Sequence, residues 1–99
     1  MKINVNSVKF KVDTKLDTLI RDKVEKLSSH YDNIVSSDVT LKLDNANTVE
    51  NKIVEIKVAI RGNDLFSKKQ SKTFEEALDN ATDALKKQLI KHKEKIKKI

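Results

Sequence analysis

Lys87, Lys91, Lys95 and Lys98 recur at intervals of four, four and three residues, the spacing that stacks side chains along one face of an α-helix. Lys86, Lys93 and Lys97 fall in step on a second face. Ammonium groups in such rows suit the phosphates of a nucleic acid backbone. Residues 86–99 hold seven lysines and one glutamate, a net of +6, and the whole chain, with 21 Lys+Arg against 15 Asp+Glu, is also +6. Residues 1–85 are therefore formally neutral, and the positive charge is concentrated at one end, as in a molecule that meets a polyanion at a defined place. A Lys-rich helix end can also be no more than a solvated surface. The rest of the chain has to separate the two.

Other chemistry finds little support. There are two histidines and no cysteine. His30 sits beside Tyr31 at the end of the first predicted helix, where it caps or packs. His92 lies between Lys91 and Lys93, and cationic neighbours oppose both a metal ion and an imidazolium. The acidic residues are interleaved with lysines; Glu75, Glu76 and Asp79 occupy the first turns of the last helix, where negative charge suits the helix dipole. A single glycine excludes a glycine-rich phosphate loop. The expectation is a protein that is not an enzyme and uses no metal and no cofactor. The lack of cysteine fits a reducing compartment. No signal peptide or apolar span is visible, so the chain reads as cytoplasmic.

Positioning those lysines requires a fold, and 99 residues at 37% hydrophobic content allow one domain over residues 1–99 with one core. Ile3 and Val5 alternate with polar neighbours, and so do Val8, Phe10 and Val12 out of phase; a bulge near Asn6-Ser7 would join them into one strand. Thr14 opens a helix, with Asp17 as its capping-box partner. Leu16, Leu19, Ile20, Val24, Leu27, Tyr31 and Ile34 continue its apolar stripe, and Asp32-Asn33 ends it. Val39, Leu41 and Leu43 give a second strand, residues 44–51 a polar loop, and Val54, Ile56, Val58 and Ile60 the clearest strand. Arg61-Gly62-Asn63-Asp64 supplies a tight turn into a fourth strand around Leu65 to Ser71. Thr73-Phe74-Glu75-Glu76 is a capping box that opens the last helix, whose stripe runs Phe74, Ala77, Leu78, Ala81, Leu85, Leu89, His92, Ile96, Ile99.

The order β-α-β-β-β-α, with strands apolar on one face only, predicts an α+β two-layer sandwich: a four-stranded sheet with both helices on one face. A right-handed crossover makes the first two strands parallel, followed by a meander. A helix over residues 73–99 would span about 40 Å at 1.5 Å per residue, so its basic end should project from the body at about 90–99. Lys23 and Lys26 flank the first helix's stripe, with Arg21 nearby, and the outer surfaces of both helices can then merge into a basic platform. Such a platform suits a structured RNA read by shape and backbone, since three Phe, one Tyr and no Trp leave few aromatics for stacking on single strands. A basic amphipathic helix can also lie on a membrane, but this one's apolar face is needed by the sheet and residues 75–99 hold no Trp or Phe. A generic duplex-RNA binder and a protein-interaction module with solvated lysines are the competing readings.

Lys23-Val24-Glu25-Lys26-Leu27, Tyr31-Asp32-Asn33-Ile34 and Val39-Thr40-Leu41-Lys42-Leu43 carry a family likeness. So does Ala77-Leu78-Asp79 leading to Asp83-Ala84-Leu85-Lys86-Lys87-Gln88-Leu89-Ile90-Lys91-His92-Lys93-Glu94-Lys95. Over residues 1–96 the chain resembles the short ribosome hibernation-promoting factors, also called ribosome-associated inhibitor A or ribosomal subunit interface proteins. The resemblance implies a protein that binds the small ribosomal subunit when growth slows, sits over the decoding region against 16S-type rRNA, and excludes tRNA and mRNA. It implies a translation inhibitor that takes no DNA and is a monomer away from the ribosome. By position, rRNA contacts would fall on Lys23, Lys26, Lys86, Lys87, Lys91, Lys93 and Lys95. Glu75 stands where such proteins often carry a tyrosine, so a stacking role there is not expected. A chain of this length is also not expected to pair ribosomes by itself.

Overall fold

The computed structural model describes residues 1–29, 31, 34–44 and 49–97, the side chains of 94–97 excepted. Its elements are β1 (Lys2–Ser7), α1 (Thr14–Glu25), a 3₁₀ turn (Lys26–Ser29), β2 (Ile34–Leu43), β3 (Lys52–Ile60), β4 (Asn63–Ser71) and α2 (Phe74–Lys97). The sheet order is β1-β2-β3-β4. β1 and β2 run parallel, with Val5 opposite Val39, and the other two pairings are antiparallel. A parallel pair cannot be joined by a tight turn, and α1 supplies the crossover. The predicted two-layer β-α-β-β-β-α architecture is the one observed.

The core lies between the sheet and the helices. Val39 and Leu41 of β2 and Val54, Ile56, Val58 and Ile60 of β3 form one cluster with Ile20 and Val24 of α1 and Ala77, Leu78, Ala81, Leu85 and Leu89 of α2. Strict alternation on β3 puts four apolar side chains under the helices and Glu55 and Lys57 on the opposite face. β4 turns Ser67 and Ser71, both buried, toward the same side, and the small residues Ala77, Ala81 and Ala84 of α2 suit a close approach there. The β3–β4 turn needs only Arg61 and Gly62, since Ile60 pairs directly with Asn63. Gly62 has φ of +81°, a conformation any Cβ would strain.

Three local expectations are corrected. First, the out-of-phase apolar sets do not form one bulged strand. β1 stops at Ser7, and Lys9 takes a left-handed φ of 65° that turns the chain. The Val8 N–H still donates to the Leu41 carbonyl at 3.0 Å, and the Ser7 hydroxyl donates to the Phe10 carbonyl. Phe10 then leaves the sheet plane and stacks on Phe74 at the start of α2, ring centroids 5.2 Å apart. The phase change is absorbed by a turn, because the second apolar set packs against a different element.

Second, the N-cap of α1 is Asp13, not Thr14. Its carboxylate accepts from the Leu16 N–H at 2.7 Å, and its carbonyl accepts from the Asp17 N–H at 3.0 Å. Asp17 takes no part in a reciprocal box; it receives Arg21 Nε at 2.9 Å. Aspartate caps better than threonine. Asp13→Ala should therefore lower stability by about 1 kcal/mol, and Thr14→Ala by much less, in thermal melts; equal losses would return the cap to Thr14.

Third, the first apolar stripe is not one helix. α1 ends at Glu25, and the hydroxyls of Ser28 and Ser29 donate to the carbonyls of Glu25 and Lys26, each at 2.7 Å, closing the end as a 3₁₀ turn. Tyr31 and Ile34 remain in the core, but Tyr31 lies past the helix and Ile34 opens β2. Asp32 and Asn33 fall outside the described residues. β2 thus begins well before Val39, with a register shift between Ile34 and Ser36 that leaves Val35 exposed, and Leu43 is exposed rather than buried.

The last helix opens at the predicted N-cap, Thr73, which supplies the N-cap half of the box. Thr73 Oγ1 accepts from the Glu76 N–H at 3.1 Å and the Thr73 carbonyl from the Ala77 N–H at 3.1 Å. Its stripe is buried from Ala77 through Leu89, Phe74 and His92 are half-buried, and the side chains of Ile96 and Ile99 lie outside the described part.

Candidate nucleic-acid interface

The end of α1 and the middle of α2 lie side by side, joined by an ion pair from Lys23 Nζ to Asp79 Oδ1. Asp79, Thr82, Asp83 and Lys86 follow the i, i+3, i+4, i+7 rule and share one helix face. Facing them are Lys23, Lys26 and Leu27, and the seven side chains line an open groove of about 270 Å³. Helix propensity and the α1 stripe fix this arrangement: Val24 and Leu27 are held in the core, so Lys23 and Lys26 are forced to its rim. Thr82 contributes no free donor, because its buried hydroxyl donates back to the Leu78 carbonyl at 2.9 Å.

The lysines of α2 divide between two flanks. Lys86 borders the groove with α1. Lys87 turns to the β4 side, where it lines a shallow depression with Lys69, Asn80, Asp83 and Ala84 and approaches Asp83 Oδ2 at 3.3 Å. Lys91 stands farther along, beside Asn63, Leu65, Gln88 and His92, and Gln88 ties α2 to β4 by donating to the Phe66 carbonyl at 3.0 Å. Lys93 is exposed; Lys95 lies on the helical backbone of α2 with its side chain outside the described part. The structure thus brings Lys23, Lys26 and Lys86 to one groove and sets Lys87 and Lys91 across the helix from it. Arg21, near them in sequence, is turned back to Asp17 and the Ile3 carbonyl.

Lys69 was not singled out by the sequence. The signal lay in the β4 alternation Leu65, Ser67, Lys69, Ser71: pairing with the buried Val54 places Lys69 on the helix side of an edge strand, where it can reach past α2 into solvent.

The opposite face of the sheet has a different electrostatic character. Lys42 pairs with Glu55 at 2.6 Å, Lys57 with Asp64 at 3.6 Å, and Asn4 donates to Asp38 at 2.8 Å. Charges of alternating sign, matched across strands, offer a polyanion no sustained attraction. His92 packs its ring edge-on against the buried Tyr31, centroids 5.7 Å apart, and His30 lies outside the described residues. Among the described residues no group of three or more His, Cys, Asp or Glu could hold a metal ion, and no helix is long and apolar enough to cross a membrane.

Comparison with known proteins agrees with this fold. The family described as Sigma 54 modulation protein / S30EA ribosomal protein matches residues 3–97. A ribosome hibernation promoting factor of Azotobacter vinelandii is 28% identical over 95 residues, covering 96% of this chain and 85% of its own. A ribosome hibernation promotion factor of Bacillus subtilis is 30% identical over 96 residues, which cover 97% of this chain and 50% of that longer protein. Among solved structures, a ribosomal subunit interface protein from Coxiella burnetii superposes with a TM-score of 0.83 at 22% identity, covering 94% of this chain and 98% of that one. The N-terminal domain of Thermus thermophilus Protein Y gives 0.80 at 20% identity, covering 93% and 99%.

Proposed function

The chain belongs to the Sigma 54 modulation protein / S30EA ribosomal protein family, and from that premise we propose that it is a ribosome hibernation factor, a non-enzymatic, cytoplasmic inhibitor that binds the small ribosomal subunit at the decoding region. Lys23, Lys26, Lys86, Lys87, Lys91, Lys93 and Lys95 contact 16S-type rRNA in this reading, and Lys69 joins them from β4. The protein acts by occupying space that tRNA and mRNA need. Residues 1–99 work as one unit in this reading, with the basic end of α2 reaching past the sheet: among the described side chains of that helix Leu89 is the last fully buried one, and the helix continues to Lys97.

The observation that carries the proposal is the surplus of lysines on both flanks of α2 and at the adjoining end of α1, where Lys26, Lys69, Lys86, Lys91 and Lys93 are exposed beyond the Lys23–Asp79 and Lys87–Asp83 pairs, against the matched pairs on the far side of the sheet. Phosphate contacts of this kind position a protein on folded RNA without reading its sequence. Relatives that carry the name ribosome hibernation promoting factor support the ribosome as the partner.

Co-sedimentation with small subunits, large subunits and free duplex RNA tests it. The protein should pellet with small subunits in preference to the other two. Increasing peptidyl-site tRNA with mRNA should displace it, and saturating protein should block tRNA in return, because linkage is reciprocal. Equal binding to duplex RNA would leave a generic RNA binder, and absence from every pellet a protein-interaction module. A stable complex holding protein and tRNAs together would overturn the occlusion mechanism.

A further inference from the structure

Two carboxylates sit inside the lysine groove. Asp79 holds Lys23 from across the helix pair, and Asp83 lines the same groove while approaching Lys87 on the other flank at 3.3 Å. Both are more than half exposed, with side-chain exposures of 54% and 61%. Their charge is therefore presented to anything that docks. The helix dipole, expected from the sequence to explain Asp79, does not account for them: α2 begins at Phe74 with only Glu75 and Glu76 acidic in its first turn, and the dipole's effect fades beyond that turn. Core packing does not account for them either, because their side chains lie on the rim.

We infer that Asp79 and Asp83 are specificity-determining residues that restrain the basic groove from taking any duplex RNA and favour an RNA surface able to satisfy a carboxylate. This rests on the RNA-binding reading above. An ionised carboxylate only accepts hydrogen bonds. A plain ladder of phosphates entering the groove meets two like charges well within the roughly 10 Å screening length at 0.1 M salt, and it must also take Lys23 and Lys87 from their present partners. A folded RNA that turns the amino groups of unpaired bases, which a regular duplex keeps inside its base pairs, against the carboxylates satisfies them while its phosphates take Lys23, Lys26, Lys86 and Lys87. Specificity is a difference of affinities, so a residue that weakens the wrong complex more than the right one raises it.

The test compares the parent protein, Asp79→Asn/Asp83→Asn and Asp79→Glu/Asp83→Glu for binding to a short duplex RNA, by fluorescence anisotropy, and to purified small subunits. The Asn pair should bind duplex about tenfold more tightly, with a log–log salt slope steeper by about 1–2 as two lysines become free for phosphate. Its gain on small subunits should stay below about threefold, and the charge-preserving Glu pair should match the parent on duplex within about twofold. Duplex affinity of the Asn pair within twofold of the parent, or an equal gain on both targets, overturns the inference. Failure of the parent to bind small subunits sinks the hibernation proposal separately, and the duplex comparison still decides whether these carboxylates restrain polyanion binding.

Discussion

Reversing the groove lysines, Lys26→Glu together with Lys86→Glu, is expected to weaken small-subunit binding on the order of a hundredfold. Each change removes one phosphate contact and sets a like charge in its place, and the two together should cost about 3 kcal/mol at roughly 1.4 kcal/mol per tenfold. The second flank, Lys87→Glu with Lys91→Glu, should cost at least about tenfold, since those side chains are as exposed but belong to a more open surface. Both variants should fold, because none of the four side chains enters the core. Lys42→Glu and Lys57→Glu act as controls on the far face of the sheet and should change affinity by less than about threefold. With all eight proposed lysines on phosphates the parent's log–log salt slope should be about −6 to −7, and each double reversal should make it shallower by about 1.5–2. Binding of the groove variant within threefold of the parent would remove the groove from the contact surface.

The difference between those two flanks was not legible in the sequence, and the reason is geometrical. Periodicity assigns each lysine to a ridge of α2, but which neighbour that ridge faces depends on how the helix sits on the sheet. Gln88 reaching the Phe66 carbonyl of β4 and Lys23 reaching Asp79 fix that placement through contacts between residues far apart in the chain. Lys69 was missed for the same reason: only its pairing with Val54 shows which side of the sheet it serves.

Elements with a strong local signal were read correctly. The alternation of Val54, Ile56, Val58 and Ile60 has one buried solution, and Thr73 with Glu76 admits one helix start. Errors arose where two local signals competed. Asp13 and Thr14 are adjacent cap formers, and the better acceptor prevailed. Val8, Phe10 and Val12 resemble a strand, but Lys9 at a left-handed φ carries no glycine or asparagine to announce the turn. The stripe ending in Tyr31 and Ile34 kept helical spacing across a 3₁₀ turn and into a strand, because burial in one core imposes the same apolar choice on each. The family resemblance, carried by the run from Asp83 to Lys95, is confirmed by the match over residues 3–97.

Leu85 offers the largest expected loss of stability and the cleanest separation of folding from binding. It is fully buried on α2 between the groove-facing and β4-facing lysines, one turn before the equally buried Leu89. Leu85→Ala removes its contacts with the sheet and leaves a cavity that this small core can close only in part, a cost of about 2–5 kcal/mol. Against a total near 5–15 kcal/mol that is a large share, and at about 4–8 °C per kcal/mol for a chain of this size the melting temperature should drop by more than about 10 °C. Ile90→Ala, on the same helix but 39% exposed, should move it far less. Below its own melting range Leu85→Ala should bind small subunits like the parent, since none of its surface reaches solvent and the lysines on either side keep their places on a folded helix. A melting temperature within about 3 °C of the parent would mean that α2 does not pack as described. A strong loss of binding by a fully folded Leu85→Ala would mean that the lysine array depends on the fit of α2 to the sheet more finely than its helical spacing requires.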